Sequence, residues 1–372
     1  MNSFTDETKA INLELACTNC GATLTFKPGT QHLMCDYCGA RNEIAVPEGV
    51  GKITETRLDD YLVTHFKEEE QVEVPTVKCD GCHAIITFDS KISAKTCPFC
   101  TSPLIIENGQ TSRTHKPQYL LPFGFDEKTA RSYFQKWLKS LWFAPRDLKH
   151  YADHAGKLSG IYMPFWTFDA ITKSSYTGQR GDHYTVSENY PAVENGKAVT
   201  RTRQVQKTRW TSVSGQHDKV FDDILIEASR SLPQKLMRLL QPWDLKNLVP
   251  YNDRFLSGFQ TETYQTDIRT AYDEAKKTMD MLIEQDVKMK IGGNTQRVHY
   301  INTTYTNPTF KHILLPVWIS AYRYKNKLYQ FVINARTGEV QGERPYSIIK
   351  FSLLVVAGIA ALILLYQLLQ QV

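Results

Sequence analysis

No cysteine in this chain stands alone: all eight fall in four Cys-x-x-Cys pairs. A reducing compartment keeps such pairs as thiols or metal thiolates. No Gly-x-x-x-x-Gly-Lys-Ser/Thr loop occurs anywhere, which excludes an ATP-driven helicase or kinase of that type. No Gly-x-Ser-x-Gly elbow occurs either, so the nucleophile turn of that hydrolase class is missing. His150 and His154 lie one helical turn apart around Asp153 but lack the Glu of a zinc-protease helix. A secretory leader is missing too, since Met1 to Lys9 is polar and carries two acids. Charge is absent from Phe351 to Val372, the last 22 residues.

That uncharged stretch is the strongest single signal. As a helix it reaches roughly 33 Å, enough to cross a hydrocarbon core of about 30 Å, with every backbone hydrogen bond made internally. Ala357, Gly358, Ala360 and Ala361 at its centre, and Tyr366 with Gln367 near its end, suit a bilayer interior and its interface. A buried core helix usually keeps a polar stripe. The expectation is therefore a tail anchor, a single span within 348–370. Arg344 and Lys350 precede it and no Lys or Arg follows, so the N-terminal bulk is expected on the cytoplasmic side of the membrane.

The remaining composition is that of ordinary globular material, at 42% hydrophobic and 22% charged residues. Its 372 residues suffice for two or three compact units, and 19 Tyr, 17 Phe and 6 Trp suggest well-packed β structure. The net charge of +5 is unevenly spread. Residues 1–110 carry 9 Lys and Arg against 16 Asp and Glu, whereas the rest carries 35 against 23. The acidic N-terminal part works against binding phosphate backbones.

The cysteines form two quartets, Cys17/Cys20 with Cys35/Cys38 and Cys79/Cys82 with Cys97/Cys100. Each has 14 residues between its pairs, and a shift of 62 positions lays one on the other, with Thr25-Phe26 falling on Thr87-Phe88. This is an internal duplication. A two-residue gap lets a tight turn aim both sulfurs at one ion, and two such turns complete a closed tetrahedron, a structural site. Units this small bury little core, so the metal supplies much of their folding free energy. Two zinc ions are expected; iron fits the same ligand set, and a thioredoxin-like redox pair would need a βαβ setting. Leu24-Thr25-Phe26 and Ile85-Ile86-Thr87-Phe88 supply short ribbon strands. Gly21 and Gly39 follow the pairs of the first quartet, where a positive φ is often wanted, while His83 and Thr101 stand there in the second. His83 is read as a strained knuckle residue and not as a fifth ligand.

Further along, Glu68-Glu69-Glu70 reads as a solvated face. Asp126 caps a helix with Ala130, Phe134, Trp137, Leu138 and Leu141 on its apolar face, stopped by Pro145. Leu158 to Pro345 reads mainly as strands, with helices at Pro233–Leu240 and Asp267–Ile291. The second of these carries Ile268, Ala271, Ala275, Met279, Leu282 and Ile283 at helical spacing. Tyr322 to Ile333 reads as a hairpin turning at Lys325–Lys327, with Tyr329, Phe331 and Ile333 on one face. Pro164/Trp166 and Pro316/Trp318 hint at a second duplication. Arg201, Arg203, Lys207 and Arg209 share one face of a strand; such a face serves solvent, nucleic acid, anionic lipid or an acidic partner, and on a membrane-tethered domain lipid headgroups or the acidic ribbons are nearer candidates than DNA. Asp182-His183, His217-Asp218 and Asp222-Asp223 read as turn or surface residues.

Tyr162-Met-Pro-Phe-Trp-Thr-Phe-Asp-Ala170, Gln241-Pro-Trp-Asp-Leu245, Ile291-Gly-Gly-Asn294, Phe310-Lys-His-Ile-Leu-Leu-Pro-Val-Trp318 and Gly342-Glu-Arg-Pro-Tyr346, with the paired ribbons, resemble a family of bacterial zinc-ribbon membrane proteins. Members are often labelled primosomal protein N'-like, helicase-related or TFIIB-type zinc-finger proteins. The resemblance covers nearly the whole chain. It implies neighbours of the phage-shock-protein-A-like and SPFH (flotillin-like) kinds and a role in holding them at the membrane, in envelope stress or membrane-domain organisation. Only the eight cysteines carry over as site residues, and no catalytic ones.

The expected fold class is α+β: zinc ribbons over 1–50 and 77–108, connectors over 51–76 and 109–122, a β-rich α+β domain over 123–346, and the span. The ribbons are expected to project into the cytoplasm. The expected function is a non-enzymatic adaptor that recruits a cytoplasmic partner to the membrane. A membrane-tethered nucleic-acid-binding protein is the alternative, and an enzyme in the central domain is weaker.

Overall fold

The computed structural model describes residues 15–44, 53–64, 71–87, 96–104, 110–145, 147–148, 158–194, 197–325 and 327–370. His150, Asp153, His154 and Glu68–Glu70 lie outside them.

Three strands dominate: β9 (Ser159–Glu194), β10 (Lys197–Glu227) and β13 (Thr295–Tyr324), of 36, 31 and 30 residues. With β14 (Lys327–Asn334) and β15 (Val340–Gly342) they run in the antiparallel order β10-β9-β13-β14-β15. Chain direction is kept across three irregularities, where the register shifts between Phe221 and Ile224, between Val298 and Tyr300 and between Thr306 and Thr309. Asp223 and Asn307 take positive φ there (55° and 50°), a conformation that Asp and Asn tolerate best after glycine. The tyrosine-flanked turn ends β13 as expected, with Tyr324 opposite Lys327.

Alternation along the middle strands buries both faces. Leu314, Trp318, Tyr322, Phe331 and Ile333 point to one side, and Ile313, Leu315, Val317, Ile319 and Val332 to the other. The first face carries α2 (Glu127–Ser140), capped by Asp126, whose carboxylate accepts from the Thr129 N–H at 2.9 Å. The second carries α3 (Gln234–Leu239), whose Leu236 and Met237 are buried there. A third apolar cluster lies farther along the long strands. There α4 (Ile268–Ile291) packs Ala271, Ala275, Met279, Ile283 and Val287 against Phe168, Tyr176 and Phe310. Alanines at 271 and 275 let the helix backbone come close to the sheet, and Asp267 caps its first turn.

The ribbons do not project; each docks on one face of this sheet. β1 (Thr25–Phe26), β2 (His32–Met34) and β3 (Arg41–Glu43) form the first ribbon's sheet. Its Phe26 meets Phe255 edge-on at 5.2 Å, and the Gly29 N–H donates to the Phe123 carbonyl at 2.8 Å. The second ribbon joins β5 (Gln71–Lys78), β6 (Ile85–Thr87) and β7 (Gln110–His115) in the order β6-β5-β7. Its Phe99, wholly buried, shares a core with Leu121, Met163 and Val332 on the opposite face. Small domains with little core gain by such docking. Segments expected to be connectors thus contribute strands: β5 and β7 pair with each other. Between the ribbons, β4 (Thr56–Arg57) joins β13, and α1 (Leu58–Thr64) buries Leu58 and Tyr61 beside Phe310. β8 (Tyr119–Leu120) runs parallel to β13 and pairs with β11 (Val249–Pro250), while β12 (Gln260–Thr261) pairs with β9.

The last helix, α5 (Ile348–Gln370), stands apart. Over Ile348–Leu368 its mean hydropathy is 2.7, and none of that window is buried. It is long and apolar enough to cross a membrane.

Candidate metal centres

All eight predicted ligands converge, and they do so as the two expected quartets. Within each, the four sulfurs lie inside 4.8 Å of one another. Cys17 and Cys38 Sγ atoms are 3.6 Å apart and Cys20 and Cys35 3.5 Å. In the second quartet Cys79–Cys100 is 3.5 Å and Cys82–Cys97 3.6 Å. A disulfide needs about 2.05 Å. A tetrahedron of thiolates about 2.3 Å from a central ion has edges of about 3.8 Å. The sulfurs are therefore spaced for a metal, and the two clusters can bind two ions.

Local backbone explains the aim. Each Cys-x-x-Cys opens a turn in which the N–H four residues after the first cysteine donates to that cysteine's carbonyl, through Gly21, Gly39, His83 and Thr101 at 2.8–2.9 Å. The first cysteine's own N–H donates five residues on, to Ala22, Ala40, Ala84 and Ser102. All four closing residues have positive φ, 73° and 72° at the glycines, 62° at His83 and 63° at Thr101. His83 is the strained knuckle residue the sequence suggested.

The thiols are electrostatically uneven. The Ala40 N–H, foremost, holds Cys38 down at about 6. Its hydrogen bond with Cys97, foremost, draws Cys82 down to about 5. Cys20 is pushed up to about 12: the Ala22 N–H lowers it, but the bonds with Cys38 and Cys35 outweigh that pull. The bond with Cys82 and burial push Cys97 up. Sulfurs this close cannot all be anions on their own; a dication at the centre is what lets four thiolates coexist. The quartets also differ in access. Cys20 and Cys38 are exposed, whereas Cys79, Cys97 and Cys100 are buried beneath the sheet.

A second cluster went unseen in the sequence. Lys311, with 3% of its surface exposed, lies at the paired bulges. Its Nζ sits 2.8 Å from Asp223, 3.1 Å from Glu55 and 3.5 Å from Asp169. Burial works against the ammonium, but the hydrogen bond with Asp223 and the charges of Asp169 and Asp223 raise its pKa. Burial alone would raise Glu55, yet the Thr309 hydroxyl and Lys311 hold it low. Asp169 is pushed up to about 7 by burial. Glu55, Asp169 and Asp222 also bring carboxylate oxygens within 4.8 Å, but Lys311 supplies a cation beside them. No sequence signal marked this site, because Glu55 and Lys311 are 256 positions apart.

The other candidate pairs do not converge. Asp182 binds Arg180 at 3.0 Å, and His183 meets Gln206 at 3.0 Å. His217, buried against expectation, joins Lys219 in holding Asp286 of α4, at 3.1 and 2.7 Å. Asp223, expected in a turn or on the surface, instead forms the bulge that pairs with Lys311.

No family model matches the chain, and no solved structure matches it. The chain is similar to a protein of Bacillus subtilis (strain 168), "Uncharacterized protein YdjG", with 26% identity over 341 residues covering 89% of each chain.

Proposed function

We propose that this chain is a membrane-anchored zinc-ribbon adaptor that recruits cytoplasmic partner proteins to a bacterial inner membrane. The observation that carries the reading is α5, an apolar helix left wholly exposed by a body that otherwise buries both faces of its sheet. Leu353, Val356 and Leu362 are each more than 60% exposed, and a hydrocarbon core is the solvent that such a surface fits. Its base has interfacial chemistry. Trp142 and Tyr346 are exposed there, and Lys350 Nζ donates to the carbonyls of Trp142 and Ala144, both at 2.8 Å. Arg344 and Lys350 on the folded side favour a cytoplasmic body.

Zinc is the ion that best fits two closed sets of four thiolates, which serve structure and not catalysis. The resemblance to zinc-ribbon membrane proteins supports SPFH or phage-shock-protein-A-like proteins as the partners. The alternative is nucleic-acid binding through the ribbons; tight, salt-sensitive DNA binding by residues 1–110 alone would favour it. The test of the adaptor reading is deletion of 348–372. The truncated chain is expected in the soluble fraction and the full chain in carbonate-washed membranes. Retention of the truncated chain, or a Met1 reporter active only outside the cytoplasm, sinks the reading.

A further inference from the structure

The end of the β9–β10 hairpin extends past the rest of the sheet. β13 begins at Thr295, opposite Gly181, so residues 182–194 of β9 pair only with β10, and β10 pairs only with β9 among the described residues. The result is a two-stranded arm of about a dozen residues per strand with no buried residue on either strand beyond Gly181. Such a ribbon is marginal in water by itself and leaves a row of outward N–H and C=O groups ready for another strand.

Its two strands are oppositely charged. Residues 182–194 hold Asp182, Glu188 and Glu194 and no Lys or Arg, whereas residues 197–210 hold Lys197, Arg201, Arg203, Lys207 and Arg209 and no acid. The inner edge of β10 is satisfied by β9. Glu188 accepts from Lys207 at 2.7 Å and lies 3.6 Å from Arg203. Arg203 stacks over Tyr190 at 5.5 Å and Arg209 over Tyr184 at 5.3 Å. Thus β9 itself displays the occupant this basic strand accepts, an extended strand with acidic and tyrosine side chains at alternate positions. Among the described residues the outer edge of β10 faces no strand.

We infer that the outer edge of β10, over Lys197–Trp210, is a docking strand for an extended acidic segment of a partner protein, which adds to the sheet with carboxylate and aromatic side chains on the face of Arg201, Arg203, Lys207 and Arg209. Main-chain hydrogen bonds give the affinity and alternate side chains give the specificity. The same cations work against two copies pairing through this edge. A two-fold contact centred on Val205 would oppose Arg201 to Arg209 and Arg203 to Lys207 across the copies, and like charges directly opposite are destabilising. The inference deepens the adaptor reading and rests on it for the partner's role. The docking chemistry itself needs neither the membrane nor the metals.

The experiment uses the full chain in nanodiscs and a fluorescent 13-residue peptide with Glu and Tyr at alternate positions, Thr between them. Binding is read by anisotropy. Two control peptides keep its length: one with a central Pro-Pro and the same charge, one with Lys in place of Glu. The expected result is binding of the Glu/Tyr peptide at least tenfold tighter than either control. The charge-swapped variant E188R/R203E/K207E keeps the arm's internal pairs but leaves its face with two acids beside Arg201 and Arg209, so it should abolish the preference for the Glu/Tyr peptide over the Lys peptide. Equal affinity for the Pro-interrupted peptide would reduce the arm to a diffuse basic patch and overturn the inference. So would unchanged preference in the swapped arm, stronger binding to phosphatidylglycerol nanodiscs or DNA than to the peptide, self-association through the arm, or no binding at all. Loss of membrane retention in the chain lacking 348–372 leaves peptide binding unaffected, so the two readings fail separately.

Discussion

Replacing Lys311 with Met removes a cation from beneath three carboxylates while keeping nearly the same side-chain volume. The Lys311 ammonium is buried with Asp223, Glu55 and Asp169 at 2.8, 3.1 and 3.5 Å. Removing one partner of a buried ion pair costs about 3–5 kcal/mol, because a charge is left without its counter-ion. At about 2–4 °C per kcal/mol for a domain of this size, the central sheet should melt roughly 6–20 °C lower at pH 8. The pH dependence follows from Asp169, which burial pushes up to about 7 from an ordinary value of 3.8. Its protonated form is favoured in the folded chain, so stability from this group is fully present below about pH 4 and is lost as pH rises through about 7. Without Lys311 that loss deepens at pH 8. At pH 5 Asp169 is protonated while Glu55, held low, stays ionised, so the Lys311→Met defect should shrink without disappearing. Trp166, at zero exposure and stacked edge-on with His312 at 4.1 Å, reports the melt by fluorescence. The double variant D169N/K311M should recover part of the loss at pH 8. A defect of the same size at pH 5 and pH 8, or one below 2 °C at pH 8, refutes the argument that charge and not packing holds this site.

Metal analysis of the purified chain should give two ions, and a chromogenic chelator should draw out the first quartet's ion sooner, since Cys20 and Cys38 are exposed while Cys79 and Cys97 are buried; single-phase release counts against two unequal sites. His83→Gly should raise thermal stability by up to about 1 kcal/mol and Gly21→Ala should lower it by a similar amount, because both positions hold positive φ; melting curves of the metal-loaded chains decide. Glu262, 1% exposed, is pushed up to about 7 by burial. Its contribution is therefore lost as pH rises from about 4.5 through 7, and Glu262→Gln should flatten the fall in melting temperature between pH 5 and pH 8. An unchanged slope in that variant removes Glu262 from the pH response.

Legibility in this chain tracked how local each feature is. The Cys-x-x-Cys turns are closed by hydrogen bonds four and five residues long, so spacing alone revealed both ligand sets and the left-handed knuckle at His83. The helix faces of α2 and α4 and the cap Asp126 were equally visible, because a 3.6-residue period is written in consecutive residues. The basic row Arg201 to Arg209 was readable as one face of a strand. Its partners Glu188, Tyr184 and Tyr190 were not, because strand register is set between segments. The lengths of β9, β10 and β13 were not legible, because a bulge at Asp223 or Asn307 looks like a turn in sequence. The connectors around the second ribbon were misjudged for a similar reason: β5 and β7 gain strand character only by pairing with each other.

By itself, the sequence determined the two tetrads of thiols, the capped helices and the apolar C-terminal helix, since each depends on residues within a turn or two of one another. Tertiary structure alone decided that the ribbons clamp opposite faces of one sheet, that Lys311 gathers Glu55, Asp169 and Asp223, and that a bare, charged arm extends beyond β13. Those outcomes require contacts between residues as far apart as Glu55 and Lys311, 256 positions along the chain. The entropy of closing such loops is repaid only when the whole sheet assembles, so no short window of sequence records them.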